Sequence, residues 1–424
     1  MWIFTSYIVN KGRDTIWRTG WFLILCLVQS GVVNADQYHY NNILIGDRAS
    51  GLGGAYTAIS DDPSGLYYNP SGTVYATGSS ISGSMNAFHY TVSEYKNVLG
   101  GDSWTRESST LTPNFFGVIQ PLFGGMAGFS YAVNDAVIED QDQVFEGFFI
   151  DNETKVSQYI INFNNQDTTY NIGPSFAKKI TDNLSWGITL YGYYRKKELI
   201  LNQQVYLDEG GSTWTNQYFE TTEIGINPVL GLTWSPIDKL SLGLSVKQPK
   251  ILSVSTRRQD TVDARNPDPS QNNTEIASPS IIESEYKREL PLNVNAGIAY
   301  FANDKLLFSG DVNYFSAAES LEPVVNFAGG VEYYFNSNWA LRAGGYTNFA
   351  NTPTLTDTQK NQLEHVDLYG ISTSLSHFTR NSAISAGVSY SQGAGHAQVI
   401  DQSSAVQELV MQTLTVFVSA VYAY

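Results

Sequence analysis

The chain of 424 residues has one cysteine, Cys26, and it falls inside an apolar leader. The rest therefore offers no disulfide, no thiol chemistry and no cysteine-held metal. Charge is scarce: Asp, Glu, Lys and Arg make up 15% of the residues, against about a quarter in ordinary soluble domains. That charge is also lopsided, at net -16, which argues against nucleic acid as a partner. No apolar run reaches the length of a membrane helix, roughly 18 residues or more, so any membrane crossing falls to strands. The five histidines, His39, His89, His365, His377 and His396, keep no metal-ligand spacing. No Gly-x-Ser-x-Gly elbow occurs, and the loop carboxylates define no acid–base pair. No enzyme activity, metal or cofactor is expected; an outer-membrane lipase or protease is the enzyme-class alternative.

What is abundant is glycine (36), tyrosine (27) and phenylalanine (21), with a mean hydropathy of -0.19. Lipid-facing and lumen-facing residues that alternate along strands give such an average. Residues 1–35 look like a signal peptide. Lys11, Arg13 and Arg18 supply a basic stretch, Trp21 to Val33 an apolar one, and Val33-Asn34-Ala35 a small-residue cleavage site. The mature chain then begins near Asp36. A buried N-terminal helix is the alternative.

Period-two alternation is clean in the second half. Leu240, Leu242, Leu244 and Val246 oppose Ser241, Gly243, Ser245 and Lys247; Trp186, Ile188 and Leu190 oppose Ser185, Gly187 and Thr189. We count fourteen candidate strands. Short turns at Thr181–Asn183, Pro236–Lys239, Asn303-Asp304, Asn336–Asn338 and Thr379–Asn381 alternate with longer polar connections at 92–109, 136–167, 257–280 and 394–407. Short periplasmic turns and long outer loops alternate in this way in membrane barrels. Trp186, Trp234 and Trp339 lie beside short turns, where an interfacial aromatic girdle belongs. The chain ends in an alternating strand, Val416, Val418, Ala420, Tyr422, Tyr424, resembling the signal recognised by the barrel-assembly machinery. These features oppose the alternative, a soluble sandwich. The expected fold is all-β: a transmembrane antiparallel barrel of about 14 strands over 77–424 in the outer membrane, in contact with its lipid, with an N-terminal plug over 36–76.

That plug segment does not alternate. It carries Ser50-Gly-Leu-Gly-Gly-Ala-Tyr56, then Asp61-Asp62-Pro63, then Asn69-Pro70-Ser71, small residues and turn formers suited to a compact insert. A periplasmic tail is the alternative. These three motifs resemble the N-terminal hatch of the FadL/TodX (OmpP1) family of long-chain fatty-acid and toluene transporters. The family has Ala-Asp-Asp and Asn-Pro-Ala where this chain has Ser60 and Ser71 at the variable positions.

The resemblance implies outer-membrane transport of a hydrophobic small molecule, captured near the outer loops and released sideways through a gap at a kinked third strand. It implies that Asp61, Asp62, Asn69, Pro70 and Ser71 form the hatch, with Asn69-Pro70-Ser71 against that kink. Gly124, Gly125 and Gly128 at the start of the third strand are the candidate kink residues; glycine weakens strands and marks bends, though it also serves simply as a small lumen-facing residue. In the connection after it, Phe145, Phe148, Phe149 and Ile150 form an apolar cluster suited to an entry groove, or to a folded loop cap. A second function class stays open: a related barrel serving protein secretion or scaffolding, whose partner is a protein.

Overall fold

The computed structural model describes residues 38–149, 154–265, 280–400 and 403–424. The expected leader and Ile150 lie outside them. Seventeen antiparallel strand segments form one sheet closed on itself by pairing of the first with the last. In chain order they are β1 Ser80–Leu99, β2 Asp102–Leu122, β3 Gly125–Phe149, β4 Lys155–Thr181, β5 Leu184–Leu207, β6 Ser212–Ile237, β7 Leu240–Lys247, β8 Lys250–Arg265 and β9 Ser280–Ser284. There follow β10 Asn293–Asn303, β11 Leu306–Phe315, β12 Val324–Asn336, β13 Trp339–Asn348, β14 His365–Val366, β15 Leu368–Phe378, β16 Ser382–Ala397 and β17 Gln407–Ala423. Because β8 continues β7, β10 continues β9 and β15 continues β14, the wall has fourteen positions. Closure leaves no sheet edge in lipid, where unpaired backbone groups find no water.

The outer face of β5 shows why this wall belongs in a membrane. Trp186, Ile188, Leu190 and Tyr194 point outward, while Ser185, Thr189 and Tyr191 point inward and are buried. From Trp186 to Tyr194 the apolar face runs roughly 26 Å along the strand at 3.3 Å per residue. Allowing for the tilt of barrel strands, that approaches the apolar band of about 25 Å between girdles. Aromatic contacts mark both limits. Trp186 meets Phe176 at 6.2 Å near the short turns, and Tyr170 bridges Tyr131 (6.2 Å) and Tyr194 (6.0 Å) across three strands at the other end.

Beyond Tyr194 the two faces exchange character. Lys196 and Glu198 now face outward, and Leu199, Leu201 and Val205 face inward. In β4 the inward residues change from Asn171 and Thr169, through Asp167, to Phe163, Ile161 and Tyr159. A charged layer marks the exchange: Arg195 pairs with Asp167 and with Glu223, the latter at 3.2 Å, and Arg106 pairs with Glu139 at 2.8 Å. Above it, Tyr95, Trp104, Phe145, Phe163, Leu199, Leu368 and Leu409 belong to one apolar core joining β1–β5 with β14–β17. The lower barrel is solvated by lipid, and the upper barrel is built like a soluble protein.

This second core corrects the expected connections. Residues 92–109 are not a loop but the ends of β1 and β2 around a turn at Gly100-Gly101, and most of 136–167 continues β3 and β4. The polar outward positions there reflect exposure to water; the inward positions keep a strand periodicity of opposite sign.

Ahead of β1, residues 38–79 lie largely buried within the wall. They include two short helices, α1 Asp47–Gly51 and α2 Gly65–Tyr68, and a 3-10 turn at Pro70–Tyr75. Polar latches fasten them. Arg48 bonds Glu332 at 2.7 Å and Asp61 at 2.6 Å, and Glu332 also accepts from Arg342 at 2.8 Å. The buried Asp311 carboxylate accepts from the backbone N–H groups of Tyr56 (3.0 Å) and Thr57 (2.9 Å). Apolar contacts of Leu52, Tyr56 and Ile59 with Ala299 and Leu307 complete this side.

Candidate functional site

The wall is interrupted between β2 and β3. The ladder pairs from Leu122–Gly125 to Phe115–Ala132, and again at Ser108–Glu139, without a change of register. Between these points the six residues 109–114 of β2 and 133–138 of β3 are not paired with each other, although most keep their ladders to β1 and β4. Each strand carries an irregularity in the ladder to its other neighbour. Asn134 is an extra residue relative to β4, and the β1–β2 register shifts at Asn114. Side chains hold both irregularities. Asn171 donates to Asn134 at 2.9 Å, while Asn114 accepts from Ser84 at 2.6 Å and donates to Asn86 at 3.0 Å. Pro113 brings no N–H, and the Ser108 hydroxyl accepts from Ile138 N at 3.1 Å, which reduces the number of backbone donors left unpaired. The outer lips are apolar: Leu111 is 68% exposed and Ile138 43%.

Behind this window runs the plug segment 41–45. Ile43 and Ile45 are buried against Phe115, Ala132, Val133 and Ala136. Polar contacts tie the segment to both lips: Asn42 donates to Asp135 at 3.3 Å, and Asn114 donates to Leu44 O at 3.2 Å. Asn348 fixes Asn42 from the far wall at 3.2 Å, and Tyr68 Oη accepts from Ile45 N at 2.9 Å. Two cavities flank the segment. One of about 200 Å³ is lined by Tyr40, Ile43, Tyr67, Tyr193, Lys247 and Phe315, among others; one of about 80 Å³ includes Asn42, Ala136, Val137 and Met411. Both reach Asp135 at the window. Lys247 Nζ lies over the Tyr67 ring at 4.1 Å, so the larger cavity combines aromatic faces with a buried amine.

The residues singled out from sequence fall in several places. Asp61 accepts from Arg48 and, at 3.3 Å, from Tyr56 Oη. Asp62 accepts from Ser64 N at 2.7 Å and from its hydroxyl at 2.5 Å; burial first, then the Asp61 charge, raises its carboxyl above the ordinary value. Both carboxylates shape the plug. Asn69-Pro70-Ser71 do not lie against the third strand as the resemblance implied. Asn69 donates to Leu232 O (3.1 Å), to Thr233 Oγ1 (3.2 Å) and to Thr57 O (2.8 Å), and Ser71 meets Thr233. These residues crowd Gly187 of β5 and Gly231 of β6, where any side chain would collide with them.

The third-strand glycines are not the gap either. Gly124 forms the turn at φ 72°, Gly125 pairs with Leu122 of β2, and Gly128 is paired on both sides. A Cβ on Gly128 would stand 2.8 Å from Leu66 of the plug, so its smallness serves plug contact. The opening begins at Val133, after the paired stretch that holds these glycines. Phe145 and Phe148 are buried in the upper core, with Phe145 stacked on Tyr159 at 6.2 Å, whereas Phe149 faces outward, 62% exposed. They do not form one groove. Sequence reasoning missed Asn42, Ile43, Asn114 and Asn134. A signal was present in the alternation: the inward residues of β2 change from even to odd across Asn114, and those of β3 are mainly even up to Ala132 and odd at Glu139 and Phe145.

No family model matches the chain, and no curated protein matches it in sequence. Solved structures do. A FadL homologue of Pseudomonas aeruginosa superposes with a TM-score of 0.62 at 13% identity, covering 89% of this chain and 98% of its own. The toluene transporter TodX of Pseudomonas putida gives 0.62 at 13%, covering 92% and 99%. CymD, a monoaromatic hydrocarbon channel, gives 0.57 at 14%, covering 91% and 99%. The chain thus has the fourteen-strand, internally plugged barrel of the FadL/TodX group.

Proposed function

We propose that this protein carries small hydrophobic molecules across the outer membrane, releasing them sideways into the bilayer through the β2–β3 window. The observation that supports this reading is the coincidence of three features at Asp135: an unpaired wall segment with apolar outer lips, a lumen cavity, and a plug segment seated between them. The window lies between Tyr131 and the Arg106–Glu139 pair, at the upper edge of the apolar band, and unpaired backbone is tolerated there where it lines a cavity or is covered by protein; here both hold. The plug fills the lower lumen, so the axial route to the periplasm is obstructed while the lateral one needs only movement of residues 41–45.

The cavity favours compact cargo. At about 200 Å³ it belongs to the size class that accepts one aromatic ring, for which roughly 150 Å³ suffices. A monoaromatic hydrocarbon fits this space better than a fully enclosed long acyl chain. The test is native mass spectrometry and binding on purified protein, with toluene and a long-chain fatty acid as probes. Binding of toluene supports the reading. Failure to bind either, with stable copurification of a periplasmic or surface protein, would favour a secretion or scaffold role.

A further inference from the structure

A second interruption of the wall lies between β8 and the segment 285–292 that joins β9 to β10. The ladder pairs up to Lys247–Asn293 and resumes at Thr256–Ser284 with no change of register. The eight residues 248–255, held by β6 on their other side, and the eight residues 285–292 are not paired with each other between these points. Continuing the register places Pro249 opposite Pro291. Neither ring offers an N–H, so the ladder cannot zip there.

Other contacts hold the segment away from β8. Glu289 N donates to Glu319 at 2.7 Å, Leu292 N to Ser316 Oγ at 3.0 Å, and Ser316 N to Leu292 O at 2.9 Å. From the inside, Arg288 reaches Glu223 at 2.8 Å and Tyr193 Oη at 3.1 Å. Pro249, Arg288, Leu290 and Pro291 line the same cavity of about 200 Å³ that reaches the β2–β3 window. Leu290 packs on Tyr193, Ile251 and Val254 at the opening.

The two windows differ in their rims. Leu111 and Ile138 make the first apolar. Lys250, Glu285, Lys287 and Glu289 are all exposed at the second, beside exposed Leu252 and Tyr286, and charged side chains do not belong among acyl chains. The second window therefore opens toward water and headgroups. The upper apolar core joins β1–β5 to β14–β17 and covers that side of the barrel top; among the described residues it does not extend to the β8 side.

We infer that the opening between β8 and residues 285–292 is the entrance through which hydrophobic cargo reaches the lumen cavity, with Leu290 as its apolar threshold. This rests on the transport reading above and adds a direction: in at the charged window, out at the apolar one.

The test uses the full mature chain carrying Leu290→Cys, or Leu252→Cys on the exposed opposite lip should the first variant fold poorly. Each is measured before and after coupling to a bulky maleimide, with toluene as competitor of a fluorescent hydrophobic probe in stopped-flow binding. Ser337→Cys at a short turn and Leu111→Cys at the first window are coupled in parallel. Coupling at the second window should slow probe association tenfold or more. Coupling at Ser337→Cys should change nothing, and coupling at Leu111→Cys should slow release rather than association. Unchanged association after complete coupling at the second window overturns the inference and leaves the transport reading standing. Absence of toluene-competed binding in the uncoupled protein overturns both.

Discussion

Ile43→Ala tests whether residues 41–45 are the stopper of the β2–β3 window. Ile43 is 5% exposed and belongs to the cluster with Phe115, Val133 and Ala136. Truncating a buried isoleucine costs about 2–5 kcal/mol through lost burial and the cavity left behind. Those contacts exist only while the stopper is seated, so the loss falls on the closed state. At the lower end, about 2 kcal/mol, the open population rises roughly thirtyfold, at 1.4 kcal/mol per tenfold. The assay pairs hydrogen exchange on residues 41–46 with uptake of a hydrophobic probe by proteoliposomes. Exchange should quicken by about that factor, and uptake should rise several-fold until another step limits it. Leu52→Ala removes comparable apolar contact where the plug meets Ala299 and Leu307, and it should leave 41–46 protected. If Ile43→Ala changes neither exchange nor uptake, the segment is not the stopper.

Deleting Asn114 and Asn134 together removes both irregularities while keeping the β2–β3 register, so the ladder should close; uptake should fall at least tenfold, with cold-SDS resistance retained. Glu332→Gln removes the carboxylate shared by Arg48 and Arg342. Breaking one partner of a buried pair costs about 3–5 kcal/mol, and protease cleavage within 38–79 should quicken while heat-modifiability of the barrel persists. Deleting Phe417–Tyr424 removes much of the segment of β17 that closes the sheet on β1; the truncated chain should fail to insert, as measured by membrane fractionation and gel mobility.

Much of the wall was legible because lipid imposes a strict rule on one face. Trp186, Ile188 and Leu190 against Ser185, Gly187 and Thr189 report a strand without any knowledge of its neighbours. The same rule misled above the membrane. There Lys196 and Glu198 turn outward and Leu199 and Leu201 inward, so a search for apolar-outward strands sees loops. The plug was legible as a compact non-strand segment, but its seating was not, since Asn69 finds Leu232 through contacts 163 residues apart. The glycines drew attention to the start of β3, whereas the window arises from asparagines at Asn114 and Asn134. An extra residue in a strand shifts alternation by one, and only the partner strand reveals whether the ladder follows. The Pro249–Pro291 opposition was likewise invisible until register was known.

Lateral passage between β2 and β3 is tested most directly by a reversible block of that window. Leu111→Cys and Ile138→Cys place thiols on the exposed outer lips of a chain whose described residues contain no cysteine. A bifunctional methanethiosulfonate linker joins them, and a reductant releases it. Probe uptake by proteoliposomes should fall at least tenfold on linking and recover on reduction, with the β8-side window untouched. Uptake that is unchanged when linking is complete would show that cargo does not leave through the β2–β3 window.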